Sequence, residues 1–377
     1  MKKYCWGVII ILIFNILLLS GCSADPKKPS VVKKMTEVSE PSKIEYSFNG
    51  FYSEVDENII VVYNWNKIEI FDLTDGKLIK DIPISNEFGI SGLDIYGDTV
   101  TWSETNPQSV ENRDSRDSLK EDSNVFVYNY RTNEQKQITT DKWAQNNPRI
   151  WKNYLIWQDN RDDTSKEYPG KWSLMLYDLT TGTEKRITST LAAHATYSIS
   201  DDKIVWEDHR NFKGSDTIRG GDNLPENNKD IYLYDMKTGT ESAVATGPYM
   251  ESKPEISGNY IAWEDRNTNT LEADIVLYDL NSKERIYLTK DKVDQGTPRI
   301  YGDYIVWMDE RRGISTNDVI INGKEPNSDI VLYHIKNKTE RILTGNEPQI
   351  LPSISSEWVS FILSRQIDPK VQVVRYK

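Results

Sequence analysis

The sequence predicts an all-β fold, a single β-propeller built from four-stranded blades. Its 377 residues include 21 Tyr and 11 Trp, and aromatic and β-branched residues favour strands. Gly, Asn and Asp recur between short apolar segments, where they favour tight turns. The decisive observation is an internal repeat with a period of about 45–55 residues, close to the period of known propeller blades.

Five repeats align closely. Each begins near a proline, turns tightly, enters a strand that ends in tryptophan, and continues through two further strands. The five tryptophans are Trp102, Trp157, Trp206, Trp263 and Trp307. Because one tryptophan recurs at the same strand position in every repeat, we interpret the set as packing between blades and not as a sugar-binding platform.

The third strand of each repeat is apolar on both faces. In Asp230-Ile231-Tyr232-Leu233-Tyr234-Asp235, Ile231 and Leu233 face one side, and Tyr232 and Tyr234 face the other. A strand of this kind must be covered on both sides, and stacked propeller blades provide that cover.

Two weaker units flank the five repeats. Residues 58–84 supply three strands of an earlier blade, and residues 350–376 supply three strands of a later one. Ile44–Asn49 is predicted to provide the missing outer strand of the last blade and so close the ring, which removes exposed sheet edges. The predicted count is seven blades, with six as the alternative if one flanking unit is irregular.

The N-terminus has the layout of a secretory signal. Lys2 and Lys3 precede an apolar run at residues 8–19, and Leu19-Ser20-Gly21-Cys22 follows directly. This segment resembles the lipobox of bacterial lipoproteins, which implies that Cys22 is diacylated through its thiol and becomes the mature N-terminus. A single membrane-spanning anchor is the alternative, but the run is shorter than the roughly 20 apolar residues that such a span needs.

These features predict a signal peptide at residues 1–21, a lipidated cysteine with a flexible tether at residues 22–42, and a propeller at residues 43–377. Cys5 and Cys22 are the only cysteines, so the mature chain has no disulfide. The expected location is the outer face of the cell membrane, with membrane contact through the lipid anchor only. The net charge of −12 argues against nucleic acid as a partner.

Repeats of the form Ile-Val-Trp-x-Asp-x-Arg, followed by Asp-Ile-Tyr-Leu-Tyr-Asp-x-x-Thr-Gly-x-Glu, resemble the TolB-like β-propeller repeats of bacterial and archaeal cell-surface proteins. The resemblance extends from about Tyr46 to the C-terminus. It implies the propeller fold. For function it implies only a range that includes scaffolds, binding modules and the gating domains of peptidases.

An acid and an arginine follow the tryptophan in four repeats. The pairs are Asp159 and Arg161, Asp208 and Arg210, Asp265 and Arg266, and Asp309 and Arg311. A catalytic group is needed once, whereas this pair recurs, so a structural role is predicted. We expect each arginine to join the second and third strands of its blade through charge-assisted hydrogen bonds to the aspartate.

The long connections lie between the second and third strands, at residues 103–124, 160–172, 209–229 and 310–328. In propellers these connections share a face with the links between blades, and long loops on a rigid scaffold commonly carry binding residues. A polar residue recurs in those links: Gln145, His194, Glu251, Gln295 and Gln349. We expect this set to ring the channel mouth as a site for a polar ligand or ion; the alternative is that a hydrated channel mouth is polar anyway.

The mature chain has no Gly-x-Ser-x-Gly, His-Glu-x-x-His or phosphate-loop motif. The first functional hypothesis is therefore a monomeric binding or scaffolding protein that recognises an envelope protein or polysaccharide. The alternative is an extracellular polysaccharide lyase or hydrolase with Glu251, Asp208 or Glu207 at the channel mouth. No cofactor is expected. Calcium bound by the acids of Asp159–Asp163 is the alternative, although these acids lack the spacing of a known calcium loop.

Overall fold

A computed structural model describes residues 42–84, 89–106, 122–163, 172–191, 195–211, 229–266, 272–311, 328–343, 348–363 and 368–377. These residues form seven antiparallel sheets of four strands each. None of the described residues belongs to a helix that is long and apolar enough to cross a membrane. Cys22 and His194 lie outside the described residues.

Each sheet is one blade, and its strands run in order from an inner to an outer position. The inner strands are β2 (Tyr52–Asp56), β6 (Ile90–Tyr96), β10 (Gln145–Trp151), β14 (Tyr197–Ser200), β18 (Met250–Ser257), β22 (Gln295–Tyr301) and β26 (Gln349–Ile354). The second strands are β3 (Ile59–Asn64), β7 (Thr99–Thr105), β11 (Tyr154–Asp159), β15 (Lys203–Asp208), β19 (Tyr260–Arg266), β23 (Tyr304–Asp309) and β27 (Trp358–Leu363).

The third strands are β4 (Lys67–Asp72), β8 (Ser123–Asn129), β12 (Trp172–Asp178), β16 (Asp230–Asp235), β20 (Ala273–Asp279), β24 (Asp329–His334) and β28 (Lys370–Arg375). The outer strands are β5 (Lys77–Pro83), β9 (Glu134–Gln137), β13 (Thr183–Leu191), β17 (Thr240–Ala245), β21 (Arg285–Tyr287), β25 (Thr339–Ile342) and β1 (Ile44–Asn49). The prediction of seven four-stranded blades is confirmed.

The first strand of the domain closes the ring. Strand β1 pairs antiparallel with β28, so the last blade takes its outer strand from the beginning of the chain. Upstream of it, the Ser42 backbone amide donates to the Leu343 carbonyl of the sixth blade at 2.9 Å. The predicted closure by Ile44–Asn49 is therefore confirmed, and the chain enters the propeller at its outer rim.

The hydrophobic core is divided among the blade interfaces. Among the described residues, seven apolar clusters each join two neighbouring blades, and one of them joins the seventh blade to the first. The five repeated tryptophans are 0% exposed, and each lies in a different cluster. Burial of such large side chains contributes much of the stability of each interface.

The two-sided strand β16 packs as its alternation predicts. Ile231 and Leu233 belong to the cluster shared with the fifth blade, whereas Tyr232 and Tyr234 pack in the cluster shared with the third. Neither face of the strand is left to solvent, because each blade is covered on both sides by its neighbours.

Strand pairing defines two faces of the ring. Gln145, at the start of β10, lies opposite Asp159, at the end of β11, and the other blades repeat this register. The beginnings of the inner strands therefore share a face with the connections between second and third strands. We call this the loop face and the opposite side the turn face.

Candidate functional site: an axial cavity above a charged ring

Seven inner strands place one polar side chain each at the same level of the central channel. The members of this axial ring are Glu54, Asp94, Arg149, Ser198, Glu255, Arg299 and Ser353. In four blades the ring residue directly follows a proline, which occupies positions 148, 254, 298 and 352. In these four strands the ring residue lies between a proline and an isoleucine, and its charged or hydroxyl side chain faces the axis.

The charged members of the ring pair across the channel. Arg299 donates from Nη1 to Glu255 at 2.8 Å and from Nη2 to Glu54. Glu54 also accepts hydrogen bonds from Tyr52 at 2.5 Å and from Ser353 at 2.6 Å. Burial alone raises the pKa of the Glu54 carboxyl, but the charges of Arg299 and Arg149 outweigh it and hold the pKa below its ordinary value.

Asp94 differs from the other ring acids. One of its carboxylate oxygens accepts the Ile150 backbone amide at 2.9 Å, and the other lies 4.0 Å from Arg149 Nη1. Burial raises the pKa of Asp94 to about 7, because Arg149 only partly offsets the lost hydration and Glu54 adds repulsion. The charge of the ring therefore changes near neutral pH.

The charged network separates two cavities along the axis. The cavity on the loop face has a volume of about 300 Å³. The cavity on the turn face is smaller, about 110 Å³, and its lining includes Tyr96, Trp151 and Tyr301. Only the larger cavity reaches the size at which small-molecule sites usually begin.

A repeated backbone irregularity shapes the mouth of the larger cavity. Five inner strands shift register at the same level, and each places one residue with positive φ in the cavity lining. These residues are Gly92 (φ 61°), Asn147 (φ 54°), Lys253 (φ 52°), Thr297 (φ 50°) and Leu351 (φ 52°). Left-handed backbone is costly for the four that carry a Cβ atom, and such strain is often found at functional sites.

Gly92 has a steric reason to be glycine in addition to its positive φ. A Cβ atom at this position would lie 2.5 Å from the Cα atom of Asn147 in the next blade. The bulges of the second and third blades therefore pack against each other at the mouth, and a side chain at position 92 would push them apart.

Buried glutamates hold two of these bulges in place from the preceding blade. Glu207 accepts the Lys253 amide at 3.4 Å, and Glu264 accepts the Thr297 amide at 2.6 Å. The ammonium of Lys253 also donates to Glu264 at 2.8 Å. Burial opposes ionisation of Glu207, but Lys229 and His209 hold its pKa well below the usual value, so it stays charged.

The ring predicted from the sequence lies elsewhere. Gln145, Glu251, Gln295 and Gln349 are at most 2% exposed, and none of them lines either cavity. Each precedes a bulge, and in β10, for example, three residue steps from Asn146 to Arg149 match two on the partner strand. The extra residue shifts the side-chain alternation, so these side chains are buried within the blades. Their role in ligand binding stays a prediction.

Glu251 is an acid at a position where three sister blades have glutamine. It lies opposite Asp265 in the strand register, and its carboxylate is 3.5 Å from Arg285 Nη2. Burial raises the pKa of Glu251 to about 8, with a further contribution from the charge of Asp265 that Arg285 does not cancel. The folded protein therefore keeps this carboxyl protonated at neutral pH.

We expect Glu251→Gln to stabilise the protein at alkaline pH. The folded-state pKa lies above the unfolded value of about 4.3, so the contribution of Glu251 to stability is lost as pH rises toward 8. Because one pKa unit corresponds to about 1.4 kcal/mol, we expect a gain of a few kcal/mol at pH 9 and little change at pH 5. Melting temperatures measured from pH 5 to 9 test this.

The matched control is Gln295→Glu, which places an acid opposite Asp309 in the sixth blade. It is expected to show the reverse dependence and to lose stability as pH rises. If Glu251→Gln gives the same change in melting temperature at every pH, the acid is ionised in the folded protein and the assignment is wrong.

The repeated acid and arginine form a strut along the third, fourth and sixth blades. Arg161 donates from Nε to Asp159 at 2.9 Å and from Nη1 to Glu184, in the outer strand β13, at 2.8 Å. The Trp157 indole N–H donates to the same aspartate at 3.1 Å. The fourth and sixth blades repeat the pattern through Arg210 with Asp208 and Glu241, and Arg311 with Asp309 and Glu340. The strut reaches the outer strand, so the prediction that each arginine joins the second and third strands is wrong for these blades.

The fifth blade forms this strut differently, because its arginine is one residue closer to the aspartate in the sequence. Arg266 donates from Nη1 to Asp294 at 2.9 Å. Asp265 instead accepts hydrogen bonds from Arg285 Nη2 at 2.8 Å and from the hydroxyl of Tyr287, both in the outer strand β21. An arginine supplied from β21 thus takes the place of the expected one.

The described residues offer few other sites for chemistry. They contain no group of three or more His, Cys, Asp or Glu side chains arranged to hold a metal ion. Trp143, an aromatic residue in the link before the third blade, is 41% exposed on the loop face.

The comparisons with known proteins show the fold. No family model matches the chain, and no curated protein matches it. The β-propeller domain of the Trilobed protease from Pyrococcus furiosus, described as having an open velcro topology, is 14% identical with a TM-score of 0.58, over 88% of this chain and 94% of that one. In this chain, by contrast, β1 closes the ring.

Two further propellers are similar. An oligogalacturonate lyase in complex with manganese is 13% identical with a TM-score of 0.53, over 87% of this chain and 89% of that one. TolB from Acinetobacter baumannii is 13% identical over 85% of this chain and 78% of that one, with a TM-score of 0.43, too low to add to the fold assignment. At these identities the likeness establishes a propeller, and propellers serve many functions.

Proposed function

We propose that this protein is a lipid-anchored binding protein of the cell envelope, with a propeller of TolB-like repeats that holds a protein or envelope polymer at its loop face. The observation that carries the proposal is the cavity of about 300 Å³ on the axis of that face, with an apolar wall and a charged floor. Such a combination is typical of sites that bind and orient a ligand.

The acids considered for an enzyme lie away from the axial cavity. Glu207, Asp208 and Glu251 are at most 3% exposed and do not line the cavity. Glu207 positions the bulge of the next blade, and Asp208 belongs to a strut. These contacts account for Glu207 and Asp208 as structural groups.

We expect Leu351→Trp to abolish partner capture at the loop face. Leu351 lines the cavity mouth and is 38% exposed, so an indole there fills the mouth without disturbing an ion pair. The measurement is in-cell crosslinking followed by purification of the lipidated protein. One envelope protein, or one polymer, should be captured by the parent and reduced at least tenfold in the variant.

Leu78→Trp is the matched control, because Leu78 is also an exposed leucine but lies on the outer strand β5. It should capture the partner as the parent does. Equal capture by the Leu351 and Leu78 variants would place the partner surface away from the axis, and capture of nothing specific by the parent would remove the support for binding.

Lipid attachment is tested at Cys22. Replacement by serine removes the thiol that would carry the diacylglyceryl group, so incorporation of labelled palmitate should fall to background and the protein should leave the membrane fraction. Undiminished labelling of the Cys22→Ser protein would show that acylation, if any, occurs elsewhere.

A further inference from the structure

The lining of the axial cavity contains three cationic side chains although the protein as a whole is acidic. Arg149, Arg299 and Lys253 line it together with Glu54 and Glu255, and Lys253 is already paired with Glu264 at 2.8 Å. The whole chain carries a net charge of −12. On the floor two arginines face two glutamates, so a ligand is selected by the hydrogen bonds that it can accept there.

The two arginines of the floor are not equivalent. Arg299 is held tightly, because it bonds Glu255 at 2.8 Å and Glu54 at closer range, and its side chain is 15% exposed. Arg149 reaches the same two acids only at 3.5 and 3.3 Å, and its side chain is 23% exposed. Charge-assisted hydrogen bonds of this kind are normally about 2.7–2.9 Å long.

Arg149 therefore has N–H donors that can bind a ligand. A guanidinium has five N–H donors in a planar fork that matches the two oxygens of a carboxylate. Among the described residues, Arg149 donates two side-chain hydrogen bonds, both long.

The wall above the floor is apolar. It consists of the three prolines at the bulges, Leu93 and Leu351, with Ala195 on the remaining side; the prolines are Pro254, Pro298 and Pro352. A ligand side chain that packs against this wall removes apolar surface from water, which favours binding by about 25 cal/mol of free energy per Å² buried. The ligand that fits carries a carboxylate next to an apolar group.

We propose that the axial cavity binds the C-terminal carboxylate of a polypeptide, with Arg149 holding the carboxylate and the proline wall holding an apolar last side chain. This inference rests on the proposed binding function and names the group that the loop face recognises. The unused N–H donors of Arg149 and the apolar wall favour a carboxylate next to an apolar group, and the opening toward the loop face admits a chain end.

Calorimetric titration of the mature protein in detergent tests the proposal. The probes are acetyl-Ala-Ala-Leu with a free carboxylate, the same tripeptide as its C-terminal amide, and 4-methylpentanoate. We expect the acid to bind at least tenfold more tightly than the amide. Equal affinity for acid and amide, or no binding of the acid, would overturn the proposal. Tighter binding of 4-methylpentanoate than of the tripeptide would overturn a polypeptide as the source.

Two variants assign the contact. Arg149→Met should reduce affinity for the tripeptide acid at least tenfold, and Arg149→Lys should recover only part of it, because a lysine cannot bind a carboxylate through two parallel hydrogen bonds. Leu351→Trp blocks the cavity without touching Arg149, and it provides the test if the methionine variant is too unstable to purify. Unchanged affinity in Leu351→Trp contradicts binding in the cavity.

The outcomes separate this inference from the proposed function. In one outcome a partner is crosslinked to the parent and lost in Leu351→Trp, but the tripeptide acid does not bind. That result supports the proposed binding function and contradicts recognition of a carboxylate. In the other outcome the tripeptide acid binds but no partner is captured. That result supports carboxylate binding in the cavity and contradicts the proposal of an envelope partner.

Discussion

A protein that begins at Gly50 will melt at a temperature roughly 4–7 °C below that of a protein that begins at Ser42. The difference is strand β1, which supplies the outer strand of the last blade. Its Tyr46 packs against Trp358, with ring centroids 5.9 Å apart, and Phe48 stacks on Phe71 at 4.2 Å. Loss of two such contacts and a strand of backbone hydrogen bonds costs about 3–5 kcal/mol.

The size of the shift follows from the entropy of unfolding, which grows with chain length, so that for a domain of this length about 1 kcal/mol shifts the melting temperature by roughly 1.5 °C. A domain is typically stable by about 5–15 kcal/mol, so the loss is still a large share of the total. The exposed edge of β28 should also promote association, since it presents unpaired backbone groups to other molecules. Calorimetry and light scattering measure the two effects.

A synthetic peptide of residues 42–49 provides the control. Added to the protein that begins at Gly50, it should raise the melting temperature in a saturable manner by restoring the strand. A peptide in which Tyr46 and Phe48 are replaced by serine should not. Equal melting temperatures for the two protein lengths would mean that the pairing with β28 contributes little to stability.

The repeats predicted the architecture well because they encode packing between blades. Trp102 and its four counterparts occur where a blade must bury a large side chain, and a two-sided strand such as β16 needs a cover on each face. Even the closing strand Ile44–Asn49 was predictable, because the last unit lacked one strand and the first residues of the domain were unassigned.

The site was predicted less well, for a reason that lies in the backbone. A polar residue recurs in the links between blades, as at Gln145 and Gln295, but the bulge that follows each of them adds a residue, and their side chains are buried within the blades. The available signal was the residue after the proline. Arg149 and Arg299 are charged at a position where a buried strand is otherwise apolar, and an axial location explains the charge.

The buried charge network predicts the second large effect. Arg299→Met should destabilise the protein by about 3–5 kcal/mol, because Glu54 and Glu255 then face Arg149 alone. Without Arg299, the pKa of Glu54 should rise, so the loss should be greater at pH 8 than at pH 4, where both glutamates take up protons more readily. Denaturant unfolding at the two pH values measures it.

A double variant decides whether the effect arises from charge or from packing. Glu54→Gln combined with Arg299→Met removes one charge of each sign and leaves Glu255 paired with Arg149, so much of the lost stability should return. Arg149→Met alone should cost less than Arg299→Met, since its ion pairs are longer and its side chain more exposed. If the double variant is as unstable as Arg299→Met, the arginine stabilises the channel through its volume, and the axial ring is a packed plug whose charges matter little for folding.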